Sequence, residues 1–155
     1  MNVLIKEGNL LDQDVDVIVN AWNRNIIPWW LLIPQGVSGA IKKQAGYAPF
    51  KELGRLGPIP LGGAVLTTAG KLPYKAIIHV AGISMLWVSS KKSITLSVQN
   101  AIALAKEHSF ESIAFPLIGA GTGGGKEEKT LTLMQETLSK CDFDGNVVIV
   151  RYVKS

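Results

Sequence analysis

Six short apolar runs punctuate the chain. Residues 2–8 (NVLIKEG) alternate apolar and polar side chains. Residues 15–20 (VDVIVN), 64–69 (AVLTTA), 76–82 (AIIHVAG), 112–118 (SIAFPLI) and 146–153 (NVVIVRYV) lean on Val, Ile and Ala. Each run predicts a strand. Several are almost continuously apolar, the pattern of a sheet covered on both faces. Between them the period changes. Ile94, Val98, Ala101, Ile102 and Ala105 share one face of a helix over 93–108, and Leu131, Met134 and Leu138 share one over 126–141. Residues 36–46 (GVSGAIKKQAG) predict a third helix closed by Gly46. The Gly/Pro stretch 52–63 (ELGRLGPIPLGG) reads as a connection. Strands alternating with helices predict a three-layer α/β/α sandwich, with a central mixed sheet of about six strands. No linker interrupts it, so residues 1–155 read as one domain.

Composition narrows the class. With 47% apolar and 18% charged residues in 155, the chain can bury a core and is not a disordered tail. No apolar run approaches the roughly 20 residues of a membrane helix. The start, MNVLIKEGNL, has no long apolar signal core, so a cytoplasmic location and no membrane partner are expected. The lone Cys141 cannot form an internal disulfide, and no His/Cys cluster points to a metal. No cofactor is implied, and a monomer is expected. The net charge of +4 fits an anionic ligand, but without a basic block it argues only weakly for nucleic acid.

In open α/β folds ligands bind beyond the carboxyl ends of strands. Two segments there run into predicted helices, whose first N–H groups and positive dipole ends face the same crevice. One is GAGTGGG, residues 119–125. Bare backbone can wrap a phosphate, or it can merely turn. It is not a nucleotide P-loop, because Glu127 follows Lys126 where Ser or Thr is required. The other segment begins with VNAWN, residues 19–23. Asn20 and Asn23 could meet ribose hydroxyls, or cap a turn. It ends in QGVSGAI, residues 35–41, where Ser38 is a candidate N-cap and the N–H groups around Val37–Ala40 could hold a second phosphate.

In their order along the chain, GNL, DVIVNAWN, GVSGAIKKQAG, GGAVLTTAGKLPYKAIIHVAG and SIAFPLIGAGTGG resemble the motifs of macrodomains. That family binds ADP-ribose, and many members hydrolyse ADP-ribose linkages to proteins or nucleic acids. The resemblance implies adenine near Gly8, Asn9 and Leu10. It implies a diphosphate between Gly36, Val37, Ser38, Gly39 and Ala40 on one side and Gly119, Ala120, Gly121, Thr122 and Gly123 on the other. The distal ribose would meet Asn20 and Asn23, with Asn23 as the catalytic candidate.

Departures from the pattern bear on activity. The usual adenine-contacting Asp is Asn9, which can still accept through its carbonyl. A GNLL start resembles macrodomains that remove ADP-ribose from DNA, yet their catalytic Lys falls on Ile83. Ser38 stands where the common protein-directed hydrolases carry Asp, and Ser cannot be a carboxylate base. Viral macrodomains with a small residue there are hydrolases in which a ligand phosphate helps to activate water. The resemblance therefore implies an ADP-ribosyl hydrolase of this water-based kind, acting on a glycosidic or ester linkage. The alternatives are a reader of free or attached ADP-ribose and a module for a related nucleotide. Residues 24–36 (RNIIPWWLLIPQG) carry Trp29 and Trp30. They read as a cap on the sheet edge, a wall over the distal ribose, or a partner patch. His79 reads as a buried, bonded strand residue and His108 as a helix terminus. Asp12, Asp14 and Asp16 read as turn charges.

Overall fold

Val and Ile fill the strands because branched side chains pack well on a pleated surface buried from both sides. The computed structural model describes residues 1–25, 36–82, 90–118 and 124–153. Among them six strands form one sheet: β1 (Asn2–Gly8), β2 (Val17–Trp22), β3 (Ala64–Thr67), β4 (Ala76–Ala81), β5 (Ser112–Pro116) and β6 (Asn146–Tyr152). Their spatial order is β1-β6-β5-β2-β4-β3. All neighbours pair in parallel except β3, which runs antiparallel to β4. The six strands match the six apolar runs.

Parallel neighbours need crossover connections, and helices supply them on both faces. Odd positions of β2 and even positions of β4, Val17, Val19, Ile78 and Val80, pack under α3 (Lys91–Glu107) and α4 (Gly124–Ser139) with Val98, Met134 and Leu138. The alternate positions, Ile18, Trp22 and Ile77, pack under α1 (Gly36–Ala45) and α2 (Ala48–Leu56) with Ile41, Phe50 and Leu53. The period of two along each strand thus sorts the core into two halves. This is the expected three-layer α/β/α sandwich. β1 is the exception to two-sided burial: it lies at the sheet edge and most of it is exposed.

Helix α2 falls partly in the stretch read as a connection. It has nine residues, Pro49 in its first turn and Gly54 inside, so its composition resembles a loop. Three buried side chains, Pro49, Phe50 and Leu53, hold it to the sheet. At the start of α3 the Ser90 hydroxyl accepts from Ser93 N–H at 3.0 Å and the Ser93 hydroxyl accepts from Ser90 N–H at 2.9 Å, a reciprocal cap.

The junction of α1 with α2 rests on two glycines. Gly46 closes α1 at φ +82°, and its N–H bonds the Lys42 carbonyl at 3.1 Å. Gly70 has φ +59°, and a Cβ there would collide with the Ala45 carbonyl. A Cβ on Gly46 would meet only the Lys71 chain at 3.6 Å. Gly46→Ala should therefore cost the left-handed strain alone, about 1–2 kcal/mol. Gly70→Ala adds a backbone collision and should cost clearly more, about 3 kcal/mol. Urea melts of the two variants beside the parent protein check the ranking.

Candidate functional site

The parallel sheet brings five strand ends to one edge. Gly8 ends β1, Tyr152 ends β6, Pro116 ends β5, Trp22 leads to Asn23 beyond β2, and Ala81 leads to Gly82 beyond β4. From β1 to β2 are three inter-strand steps, about 14 Å at roughly 4.8 Å each. Helix α1 follows β2 and α4 follows β5, and these two strands are neighbours. Both helices therefore start at this edge, where first-turn N–H groups lack intrahelical acceptors. In open α/β sheets the ligand crevice lies outside this edge, and here two positive helix ends adjoin it.

Beneath the crevice lies a directed chain of polar groups. Register pairs Asn20 with His79 across β2 and β4, and the Asn20 amide nitrogen stands 3.0 Å from His79 Nδ1. An amide nitrogen only donates, so Nδ1 accepts and the ring proton sits on Nε2. Nε2–H then donates to the Thr67 hydroxyl at 2.8 Å. The Thr67 hydroxyl in turn donates to the Thr68 carbonyl at 3.0 Å. At the other end Ser38 Oγ donates to Asn20 Oδ1 at 2.7 Å. Asn20, Thr67 and His79 are fully buried. The Phe50 ring covers the imidazole edge-on at 5.9 Å. Burial pushes the His79 pKa down to about 3, so the ring is neutral across ordinary pH.

The expected site residues divide accordingly. Asn20 turns its amide inward to His79 and Ser38. Ser38 sits in the first turn of α1 with Gly36, Val37, Gly39 and Ala40, and it ties that turn to β2. Asn23 is largely buried, and its Oδ1 accepts from Asn25 N–H at 2.7 Å. Asn9 caps a single 3-10 turn, Leu10–Asp12, by accepting from Leu11 N–H at 2.9 Å. The Leu10 side chain belongs to the core. The Gly119, Ala120, Gly121, Thr122 and Gly123 loop lies outside the described residues, as do Trp29, Trp30 and Ile83.

Two anchors were missed in the sequence. Asn25, at φ +59°, donates to the Leu53 and Gly57 carbonyls at 2.7 and 2.9 Å and so pins the exit of β2 to α2. Its only signal was a third Asn after VNAWN. Thr67 showed no signal beyond its strand. Asp16, read as a turn charge, accepts from Glu111 N–H at 2.8 Å and pairs with Lys75 at 3.4 Å, joining three strand entries at the opposite edge. The half-buried Cys141 thiol is pushed up by burial, which disfavours the nucleophilic thiolate. Among the described residues no cluster of His, Cys, Asp or Glu could hold a metal.

A model of the Macro domain family matches residues 19–134. The O-acetyl-ADP-ribose deacetylase of Klebsiella pneumoniae (strain 342) is 36% identical over 138 residues, 85% of this chain and 76% of that protein. A macro domain-containing protein of Listeria monocytogenes serotype 4b is 33% identical over 99% of this chain and 89% of its own length. The Oceanobacillus iheyensis macrodomain solved with ADP superposes with a TM-score of 0.82 at 26% identity, covering 97% of this chain and 83% of that one.

His79 makes stability pH-dependent with a definite sign. Its folded pKa of about 3 lies below the ordinary 6.5. The unfolded chain therefore binds the extra proton between those values, and this contribution to stability is full above pH 6.5 and falls as pH drops toward 3. From pH 6.5 to 5 the loss should reach about 2 kcal/mol. His79→Gln should be less stable at neutral pH, because the chain between Asn20 and Thr67 is disturbed, and its stability should change less over the same interval. Denaturant melts at the two pH values measure both effects.

Proposed function

The chain belongs to the macro domain family, and on that premise we propose that it binds ADP-ribose along the crevice and hydrolyses an ADP-ribosyl linkage there. The observation that carries the binding reading is the match of 97% of the chain to a macrodomain solved with ADP. Two helix starts at one sheet edge suit a diphosphate, and about 14 Å of edge suits an extended ligand.

In this reading adenine lies by Gly8 and Asn9, beside the buried Leu10. The diphosphate lies between the first turn of α1 (Gly36, Val37, Ser38, Gly39 and Ala40) and the loop Gly119, Ala120, Gly121, Thr122 and Gly123. Asn23 orients the distal ribose directly. Asn20 acts from behind, through its bond to Ser38. Trp29 and Trp30 form the distal wall. Residues 1–155 work as one monomeric, cytoplasmic domain without a cofactor. No helix among the described residues is long and apolar enough to cross a membrane.

For the reaction, the relative that deacetylates O-acetyl-ADP-ribose favours an ester on the distal ribose. Water adds to the acyl carbon, the carbon–oxygen bond to the ribose breaks, and the ribose oxygen takes a proton as the acid leaves. Ser38 is not the base: its proton is committed to Asn20, and a serine hydroxyl does not take protons at neutral pH. A ligand phosphate takes the role of activating water, and Asn23 supplies orientation. The lack of a carboxylate at Ser38 equally favours a second reading, a reader that docks ADP-ribose without chemistry.

Calorimetry with ADP-ribose should give saturable heat, and its absence at high micromolar ligand removes both readings. Gly121→Val should weaken binding at least about tenfold, about 1.4 kcal/mol, by intruding on the phosphate path. Acetate release from O-acetyl-ADP-ribose should fall about a hundredfold in Asn23→Ala. Binding with no release from this ester, nor of ADP-ribose from modified protein or DNA, identifies a reader.

A further inference from the structure

Folding separates charge between the two helical layers. Residues 42–75 carry six cations, Lys42, Lys43, Lys51, Arg55, Lys71 and Lys75, against one acid, Glu52, for a net of +5. The whole chain carries only +4, so the remainder is net −1. Residues 91–140, the α3–α4 layer, hold six cations against five acids. The positive excess therefore sits on the α1–α2 layer.

Two of these cations meet at the α1–α2 junction, two more follow along α2, and Lys75 pairs with Asp16 at the opposite sheet edge. Lys43 lies in the last turn of α1, three residues before Gly46. The Lys71 side chain lies over Gly46, with Cε 3.6 Å from where a Cβ would stand. Tyr47 caps α2 and is 62% exposed. Lys51 and Arg55 follow at four-residue steps on one helix face, each about 6 Å further along. Lys43, Lys51, Arg55 and Lys71 are exposed, and none of them enters the ion pairs formed among the described residues. Glu52, whose carboxylate accepts from Thr68 N–H at 2.9 Å, keeps its single charge, so the four cations still leave the face clearly positive.

We propose that this α1–α2 face is a docking surface for a single-stranded nucleic acid, with Lys43, Lys51, Arg55 and Lys71 on its phosphates and Tyr47 stacked on a base. Exposed cations at the junction and along α2, with Lys51 and Arg55 one step of about 6 Å apart, suit a flexible anionic backbone. An exposed aromatic ring among them is the second half of sequence-independent single-strand binding, and it distinguishes such a strand from other polyanions, which offer no flat base. The surface is separate from the crevice and does not rest on the ADP-ribose reading.

The test uses an unmodified, fluorescein-labelled single-stranded DNA of about twenty nucleotides and fluorescence anisotropy. Four phosphate contacts predict an affinity loss of about fiftyfold between about 50 and 200 mM salt. Lys51→Glu combined with Arg55→Glu should lower affinity at low salt at least about tenfold and flatten the salt dependence. Lys43→Glu combined with Lys71→Glu is a second, independent pair, and circular dichroism melts establish that at least one pair remains folded. Tyr47→Ala should weaken the single strand several-fold and leave a duplex of the same length unchanged. Lys129→Glu, on the other layer, and saturating ADP-ribose should each leave strand binding unchanged. The proposal is overturned by no binding at low salt, by folded charge-reversal pairs that bind like the parent, or by displacement with ADP-ribose. Equal or tighter binding to anionic lipid vesicles or polyglutamate overturns it too.

Discussion

Everything in this molecule depends on the parallel pairing of β5, β2 and β4. A parallel neighbour cannot be reached by a tight turn, so each strand must be followed by a crossover. The crossovers bury both sheet faces, which is why β4 is apolar at nearly every position and fully buried. They also start their helices at the same edge at which the strands end. The crevice and its positive potential are therefore consequences of topology before any particular side chain is considered. The antiparallel β3 closes the far edge and contributes Thr67 to the buried polar chain.

That polar chain is costly in an apolar layer unless every group is partnered, and it is partnered at each step. The order of donors and acceptors gives it a direction, from the Ser38 hydroxyl through Asn20 and His79 to the Thr68 carbonyl. A charged imidazole would break that order, because Nδ1 would then donate toward an amide nitrogen that also donates. Burial and bonding thus agree on a neutral ring. The same logic bears on Ser38. Asn20 Oδ1 needs a donor from α1, and a carboxylate in the place of that hydroxyl could not supply one. The residue that departs most from the common hydrolase pattern is the one this network uses.

Legibility followed locality. β2 to β6 were visible because each is a largely contiguous apolar run, β1 because it alternates, and α3 and α4 because each is long enough to repeat its period. Helix α2 was hidden by its length and by Pro49 and Gly54, since tertiary burial of Phe50 and Leu53 outweighs weak propensity. The buried state of His79 could be read from its strand, but its partners could not: Asn20 and Thr67 lie 59 and 12 residues away, and only sheet register brings them together. Asn25 escaped notice because an Asn at positive φ looks like any turn residue. Of the expected ligand residues, order along the chain identified the edge, while the inward commitment of the Asn20 amide required coordinates. The positive face was invisible for the same reason, because its cations are scattered over some thirty residues with no basic block among them.

Helix α1 connects the two surfaces. Its first turn opens on the crevice, and Lys42 and Lys43 stand in the last turn of its ten residues. That length is about 15 Å along the axis. The dipole is served at its C-terminal end by cations near the terminal carbonyls, and its first-turn N–H groups lack intrahelical acceptors. A strand on the α2 face and a ligand in the crevice are thus about one short helix apart. At about 3.4 Å per stacked nucleotide, four or five nucleotides span that gap. A strand carrying a group for the crevice would reach both surfaces only if the group lay at least that far from the docked segment. Shorter modified ends could occupy one surface or the other, and the two sites would then compete for the strand.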